Sequence, residues 1–419
     1  MKTVIKKRLE AIKRGETPEG YKKTKIGVIP EEWEEKKASD IFINHSNKKH
    51  GGIHPVLSST QNLGIIPRDF LNIDIKYDKN NISNYKKVDI GDYVISLRSF
   101  QGGIEYSEYE GLVSPAYTVL KSIVPISNNF YKEYLKTSEF ISRLNSSIYG
   151  IRDGKQIGYD DFSNLLLHNP PLSEQCKIAE ILENCERVIK LKQNLLTEKR
   201  KLKKWLLENL LNPNSGVRLP GFKGEWEDKR LGDICCINSS NLTEKTDRCY
   251  EFYYLDLSSI DEGKIVYPKE KISFGNAPVR ARKLFNKNDI LLSTVRPYLH
   301  GFAIADFNCK EFVASTGFCI LSTKKGISPY FIYYQLFSNK LDMQYNNCLV
   351  GTNYPALNSS DIEQLKFIIP SEQKEQEAIV DILFKADNEI NLLDKSLAEW
   401  YTMKKALMQV LLTGIVRGG

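Results

Sequence analysis

The chain has 419 residues, 41% of them apolar and 26% charged, with a formal net charge of +7. So long a chain exceeds one ordinary core and points to two or more domains; no apolar run reaches the ~20 residues of a membrane span, and the basic N-terminus lacks the apolar stretch of a secretory signal. Eight cysteines without CxxC pairs read as reduced, mostly structural thiols of a cytoplasmic protein, and the five scattered histidines argue against a metal site.

In chain order, residues 1–25 hold "VIKKRLEAIKRGETPEGYKK", a short helical segment followed by a Gly/Pro turn. Residues 26–171 open on "IGVIPEEWEEKKASDIF" and continue in short runs of Val, Ile, Tyr and Phe, such as "DYVISLRSF" and "SPAYTVLKS", whose Gly, Asn, Asp and Pro punctuation predicts strands. "FYKEYLKTSEFISRL" predicts a short helical stretch within the same domain. Residues 172–212 predict a long helix, with Ser173 as N-cap and Asn212-Pro213 as the stop. Residues 213–370 form a second domain and residues 371–419 a second long helix, with Ser371 as N-cap and Gly414 as the stop.

The second half repeats the first. "LPGFKGEWEDKRLGDIC" answers the opening stretch, setting Trp226 on Trp33 and Asp233-Ile234 on Asp40-Ile41, an offset of 226 − 33 = 193 residues. "NDILLSTVR" answers "GDYVISLR", and "EQEAIVDIL" answers "EQCKIAEIL" at an offset of 375 − 174 = 201. The offset drifts because loops gain residues more readily than the framework does. Two copies of so long a unit make two domains, not a solenoid. The twin tryptophans, duplicated and flanked by acids that would repel phosphate, read as packing residues.

In the second helix, Ile379, Ala386, Leu393, Trp400 and Leu407 recur every seven residues, beside a stripe of Leu383, Ile390, Leu397 and Leu411 broken by Lys404. In the first, Leu182, Ile189, Leu196 and Leu210 match that stripe, with Ile181, Val188, Leu195 and Leu202 beside it. Sustained heptads predict a two-stranded coiled coil, formed most simply by these two helices packing antiparallel. The fold class is therefore α+β: two similar domains of short strands and helices, separated by two long antiparallel coiled-coil helices, with a pseudo-twofold internal repeat. The N-terminal segment is expected beside the end of the C-terminal helix. Two similar heads at a set distance suit duplex DNA, whose grooves repeat every ~34 Å.

The stretches "TKIGVIPEEWEEKKASDIF", "HPVLSSTQNLGII", "PPLSEQCKIAEIL", "RLPGFKGEWEDKRLGDI", "STVRPYLHG" and "KKALMQVLLTG" cover nearly the whole chain in order, and in them the sequence resembles the specificity subunit of a type I restriction-modification system. The resemblance implies two target-recognition domains, each reading one half of a split DNA sequence. It implies helices that act as a ruler for the spacer and dock two modification subunits, with restriction subunits joining through those. It further implies a chain without catalysis or cofactor, S-adenosylmethionine, ATP and Mg2+ being used by the partners. The sequence has no GxxxxGK[ST] for ATP, and "HNPPL" has Leu172 where an amino-methyltransferase needs an aromatic to stack a flipped base. A coiled-coil scaffold with two protein-binding heads is the alternative.

DNA contacts are expected on loops beside strand ends, from side chains able to pair with base edges or phosphates. In the first head these are Ser59, Thr60 and Gln61, then Arg98, Ser99 and Gln101, then Arg152, Lys155 and Gln156. In the second they are Arg280 and Arg282, Arg296 and Tyr298, and Thr352, Asn353 and Tyr354. Arg98 and Arg296 hold equivalent places, so an ion-paired framework role competes with DNA contact. The run "KLKQNLLTEKRKLKK" in the first long helix is a second candidate, either a solvated face or a phosphate track.

Overall fold

The computed structural model describes residues 2–61, 63–71, 79–146, 157–261, 263–349 and 355–418. The chain divides into two compact units, one of residues 1–193 with 396–419, the other of residues 194–395. Each unit combines one head with part of both long helices.

The first head is built on a four-stranded antiparallel sheet in the order Phe42–Asn44, Thr118–Ser122, Tyr93–Ile95, Glu105–Tyr106. The second repeats it with Cys235–Ile237, Phe318–Thr323, Ile290–Ser293 and Phe302–Ile304. The duplicated entrance motif pairs with the last strand of its own head. Glu34–Lys37 runs antiparallel to Leu166–Asn169, and Trp226–Arg230 to Lys366–Pro370. Each head thus closes on itself just before its chain enters a long helix. The heads differ beyond this frame. The first adds the hairpin of Leu57–Thr60 with Gly64–Pro67, while the second adds a sheet in which Glu251–Leu255 runs parallel to Phe312–Ser315.

The long helices span Leu172–Leu210 and Gln373–Leu411, 39 residues each. Within each unit they run antiparallel. Gln193 Nε2 donates to the Tyr401 hydroxyl and Lys404 pairs with Glu186 in one unit, while Arg200 pairs with Asp394 and Lys203 with Asp387 in the other. In each unit the helix segments are sealed into the head core, by Ile178, Leu182, Leu411 and Leu412 in the first and by Leu210, Leu211, Ile379 and Leu383 in the second.

Neither expected serine caps its helix. The first amides inside the helices, those of Glu174 and Gln175, donate to the Pro171 carbonyl, and those of Glu375 and Gln376 to the Glu372 carbonyl. The specific bond at each helix start comes instead from a buried glutamine in the first turn, which ties helix to head. Gln175 accepts from the Ser127 amide and donates to the Pro170 carbonyl; Gln376 accepts from the Ser328 amide and donates to the Pro370 carbonyl. The heptad reading needs a correction in the first helix. Leu195 and Leu202 are exposed, at 46% and 45%, and the positions facing inward beside Leu182, Ile189 and Leu196 are Cys185, Lys192 and Lys199. A 3.6-residue helix turns three- and four-residue steps toward its partner, and the helix places charged stems there, whose methylenes pack while their ammonium groups reach water.

The twin tryptophans are framework. The Trp33 indole N–H donates to Glu174 at 3.0 Å, and Arg417 binds the same carboxylate at 2.7 and 2.8 Å. In the second unit the Trp226 indole donates to Glu375 at 3.4 Å and Arg218 binds it at 2.9 and 2.8 Å. Burial pushes the Glu174 carboxyl up, but the hydrogen bonds from Arg417 and Trp33 outweigh it and hold the group below the usual carboxylate range. The N-terminal segment lies against the end of the second long helix: Arg8 donates to the Ile415 carbonyl and the Tyr21 hydroxyl to that of Gly414. Gly414 sits at φ +74, and a Cβ there would collide with Pro30 and crowd Trp33, so this stop must be glycine.

Candidate nucleic-acid interface

In the first head, two loops meet at the end of the central sheet. The strand Tyr93–Ile95 runs out into Ser96, Leu97 and Arg98, and a short turn of helix, Ser99–Gly102, follows. The hairpin tip at Gln61 lies against that turn, its amide donating to Gln101 Oε1 at 3.3 Å. Lys136 clamps the tip by donating to the Gln61 carbonyl at 3.3 Å while pairing with Glu105 at 2.5 Å. Gln61, Arg98 and Gln101 are exposed, and Ser59 and Thr60 half-buried. Thr60 is spent on the tip itself: its hydroxyl donates to the Gly64 carbonyl and accepts from the Leu63 amide. Ser99 does not belong to the surface. It is 1% exposed and its hydroxyl accepts from the Ser96 amide, so it shapes the turn that presents its neighbours.

In the second head, backbone hydrogen bonds join four loops edge to edge. The Thr316 amide donates to the Arg280 carbonyl, Thr294 donates to the Gly317 carbonyl from both amide and hydroxyl, and the amides of Arg296 and Leu357 donate to the carbonyls of Pro355 and Thr294. Arg296 and His300 bracket the turn Pro297–Leu299, both with left-handed backbone (φ 48 and φ 54). Non-glycine residues hold that conformation at a cost of about 1 kcal/mol or more, and such strain gathers at functional loops. His300 is fixed by a 2.7 Å contact with Asp342, which anchors the end of the turn. Arg280, Arg296 and Tyr298 are exposed. Arg282 is half-buried; its guanidinium stacks 4.6 Å from the Phe274 ring centre and donates to the Ala281 carbonyl, so it belongs largely to the head's own packing.

Among the described residues, Arg98, Arg280 and Arg296 face solvent without a carboxylate partner, which leaves their donors for an external anion. Arg152, Lys155 and Gln156 of the first head, and Thr352, Asn353 and Tyr354 of the second, lie outside the described residues. Both sets of loops also carry exposed apolar side chains: Leu63 at 67%, Leu97 at 50%, Val279 at 82% and Leu299 at 66%. Sequence reasoning passed over these because an aliphatic residue beside a strand reads as core. The only available signal was position, each standing within two residues of a chosen polar residue.

The basic run of the first helix is mostly neutralised. Lys199 pairs with Glu389 at 2.6 Å, Arg200 with Asp394 at 3.3 Å and Lys203 with Asp387 at 2.5 Å, while Lys201 and Lys204 pair with Glu198 and Glu208 on their own helix. Three of its seven cations thus bridge to the facing helix and two more contact acids on their own, so the run serves the helix pair more than it forms an open phosphate track. No helix among the described residues is long and apolar enough to cross a membrane.

The model of the type I restriction modification DNA specificity domain matches the chain twice, over residues 30–198 and 223–399. The chain belongs to this family. The two matches coincide with the two heads and the parts of the long helices that follow them. Among curated proteins it is similar to the type I restriction enzyme MjaVIII specificity subunit of Methanocaldococcus jannaschii, 24% identical over 93% of this chain and 94% of that one. It is also similar to the putative MjaX specificity subunit of the same organism, 26% identical over 95% and 97%. Among solved structures, the HsdS subunit from Thermoanaerobacter tengcongensis shares the fold, with a TM-score of 0.51 at 16% identity over 93% of this chain and 98% of that one. The S subunit from M. genitalium does so as well, with a TM-score of 0.54 at 15% identity over 90% and 96%. A specificity-family chain has a non-catalytic role in DNA recognition, and the two loop sets described here are its candidate reading surfaces.

Proposed function

We propose that each head reads one half of a bipartite duplex DNA site through the loops around Gln61, Arg98 and Gln101 and around Arg280, Arg296 and Tyr298. The long helices set the spacer between the half-sites and dock two modification subunits, which bring restriction subunits. Methyl transfer with S-adenosylmethionine, and cleavage with ATP and Mg2+, belong to those cytoplasmic partners. The observation that carries the reading is that the family's DNA specificity domain occurs twice, once per head. Arginines that follow equivalent strands and have no carboxylate partner among the described residues, Arg98 and Arg296, support it chemically, since arginine reads guanine bidentately and binds phosphate.

Sequencing the methylated bases in cells that express this chain with its modification subunit tests the reading directly. The expected outcome is one bipartite motif with a fixed gap. Arg296→Ala should relax or weaken only the half-site read by the second head, by about 1–3 kcal/mol for a bidentate contact. Equal losses in both half-sites would mean that Arg296 contributes only general charge or folding.

A further inference from the structure

Both long helices break their apolar stripe at one equivalent position, Lys203 in the first and Lys404 in the second, 404 − 203 = 201 residues apart. Each lysine finds a carboxylate on the facing helix, and these acids, Asp387 and Glu186, are equivalent at the same offset, 387 − 186 = 201. Each pair then takes a third partner from the head of its own unit. In the first unit Lys404 lies 2.6 Å from Glu186 and 3.4 Å from Glu133, at the end of the head helix Asn128–Tyr134. In the second unit Asp387 accepts Lys203 at 2.5 Å and the Tyr334 hydroxyl at 2.8 Å, and Tyr334 stands at the matching place in the head helix Pro329–Gln335. The Lys404 side chain is only 17% exposed; burial works against its charge, but Glu133 and Glu186 outweigh it and hold the ammonium above its ordinary range.

A charged residue in the seam of a coiled coil costs stability and specifies register, because any slip strands it against apolar neighbours. Here each junction fixes more than helix against helix, since the third partner belongs to the head. In the second unit the helix ends are packed into the head core, and a cleft of about 620 Å³ lined by Arg200, Tyr267, Tyr330 and Phe384 opens beside Asp387, so that Asp387 stands where the apolar packing of head on helix gives way to water. We propose that the junctions Lys404–Glu186–Glu133 and Lys203–Asp387–Tyr334 are positioning devices. They hold each head at one station on its helix pair and so make the protein strict about spacer length. The proposal rests on the reading of the heads as half-site readers.

The test measures methylation by the full chain with its modification subunits, on duplexes that keep both half-sites and vary the spacer by one and two base pairs. Lys404→Met and Tyr334→Phe are each expected to raise methylation at the off-length spacers, relative to the native one, by roughly tenfold, with base preference within each half-site unchanged. Lys404→Arg, which keeps the charge, should restore strictness. Tyr334→Phe removes one hydroxyl and leaves the ring packed, so it answers the question even where Lys404→Met fails to fold. Wild-type strictness in Tyr334→Phe would overturn the proposal whatever Lys404→Met does, as would a change in base preference without a change in spacer tolerance. Failure of the wild-type complex to methylate a bipartite site at any spacer overturns the reading of the heads instead, which separates the two failures.

Discussion

The two units solve one structural problem with different chain segments. Each buries a carboxylate at the start of a long helix, binds it with the tryptophan of the entrance motif, and completes it with an arginine. In the second unit that arginine, Arg218, lies eight residues before its tryptophan, Trp226, so the clasp forms locally. In the first, Arg417 comes from the far end of the chain to meet Trp33 and Glu174. The clasp needs its chemistry, not its sequence order. The reading loops teach the reverse lesson. Standing on the same sheet, the first head uses a hairpin tip locked to a helical turn, and the second a strained turn bracketed by Arg296 and His300. The clasp keeps the same three side-chain types in both units, whereas the loops that the frame carries differ.

Breaking the clasps gives the largest expected effect. Glu174→Ala leaves the fully buried Trp33 indole without an acceptor and should destabilise the first unit by about 3 kcal/mol. Glu375→Ala should cost its unit less, because Trp226 is half-buried with a longer bond of 3.4 Å and water can replace the acceptor. Hydrogen exchange resolved by unit measures both, and equal protection losses would refute the distinction.

An intermediate effect separates the units by pH. His168 is 2% exposed between Trp33 and Tyr134, and burial lowers its pKa from 6.5 to about 4. The strand register puts Ile368 at its place in the second unit, since His168 faces Glu35 and Ile368 faces Asp228. With the folded pKa below the unfolded one, the neutral ring's contribution is complete above about pH 6.5 and is lost as pH falls toward 4. The first unit should therefore lose about 2 kcal/mol between pH 7 and pH 5, and His168→Ile should flatten that slope. Urea unfolding at both pH values reads the result; an acid response unchanged by the substitution would locate it elsewhere.

The smallest effect concerns charge. Lys199→Ala should change stability by less than about 1 kcal/mol and leave the salt dependence of DNA binding unaltered, because Lys199 is engaged with Glu389. Removal of Arg98 should lower that salt slope by about one. Titrations across a range of salt concentrations distinguish them, and a matching loss of slope for Lys199→Ala would reinstate the helix as a phosphate track.

Much of this was legible in the residues alone. The duplicated "EEWEEKKASDI" and "GEWEDKRLGDI" announced two domains, and the heptads announced paired long helices, because both signals are periodic and local. The packing role of Trp33 and Trp226 followed from their acidic flanks. What only the tertiary structure decided were matters of who stands opposite whom. Ser99 reads as a polar loop residue until its hydroxyl is seen inside the turn, and Lys199, Arg200 and Lys203 read as an open basic face until their carboxylates appear on a helix about 190 residues away. Ser173 and Ser371 satisfy the local rule for a cap, yet Gln175 and Gln376 hold the helices to their heads because the Ser127 and Ser328 amides arrive from elsewhere in the chain. Composition and spacing determine which elements form. Long-range pairing, which no local window contains, determines which of their polar groups remain free to meet DNA.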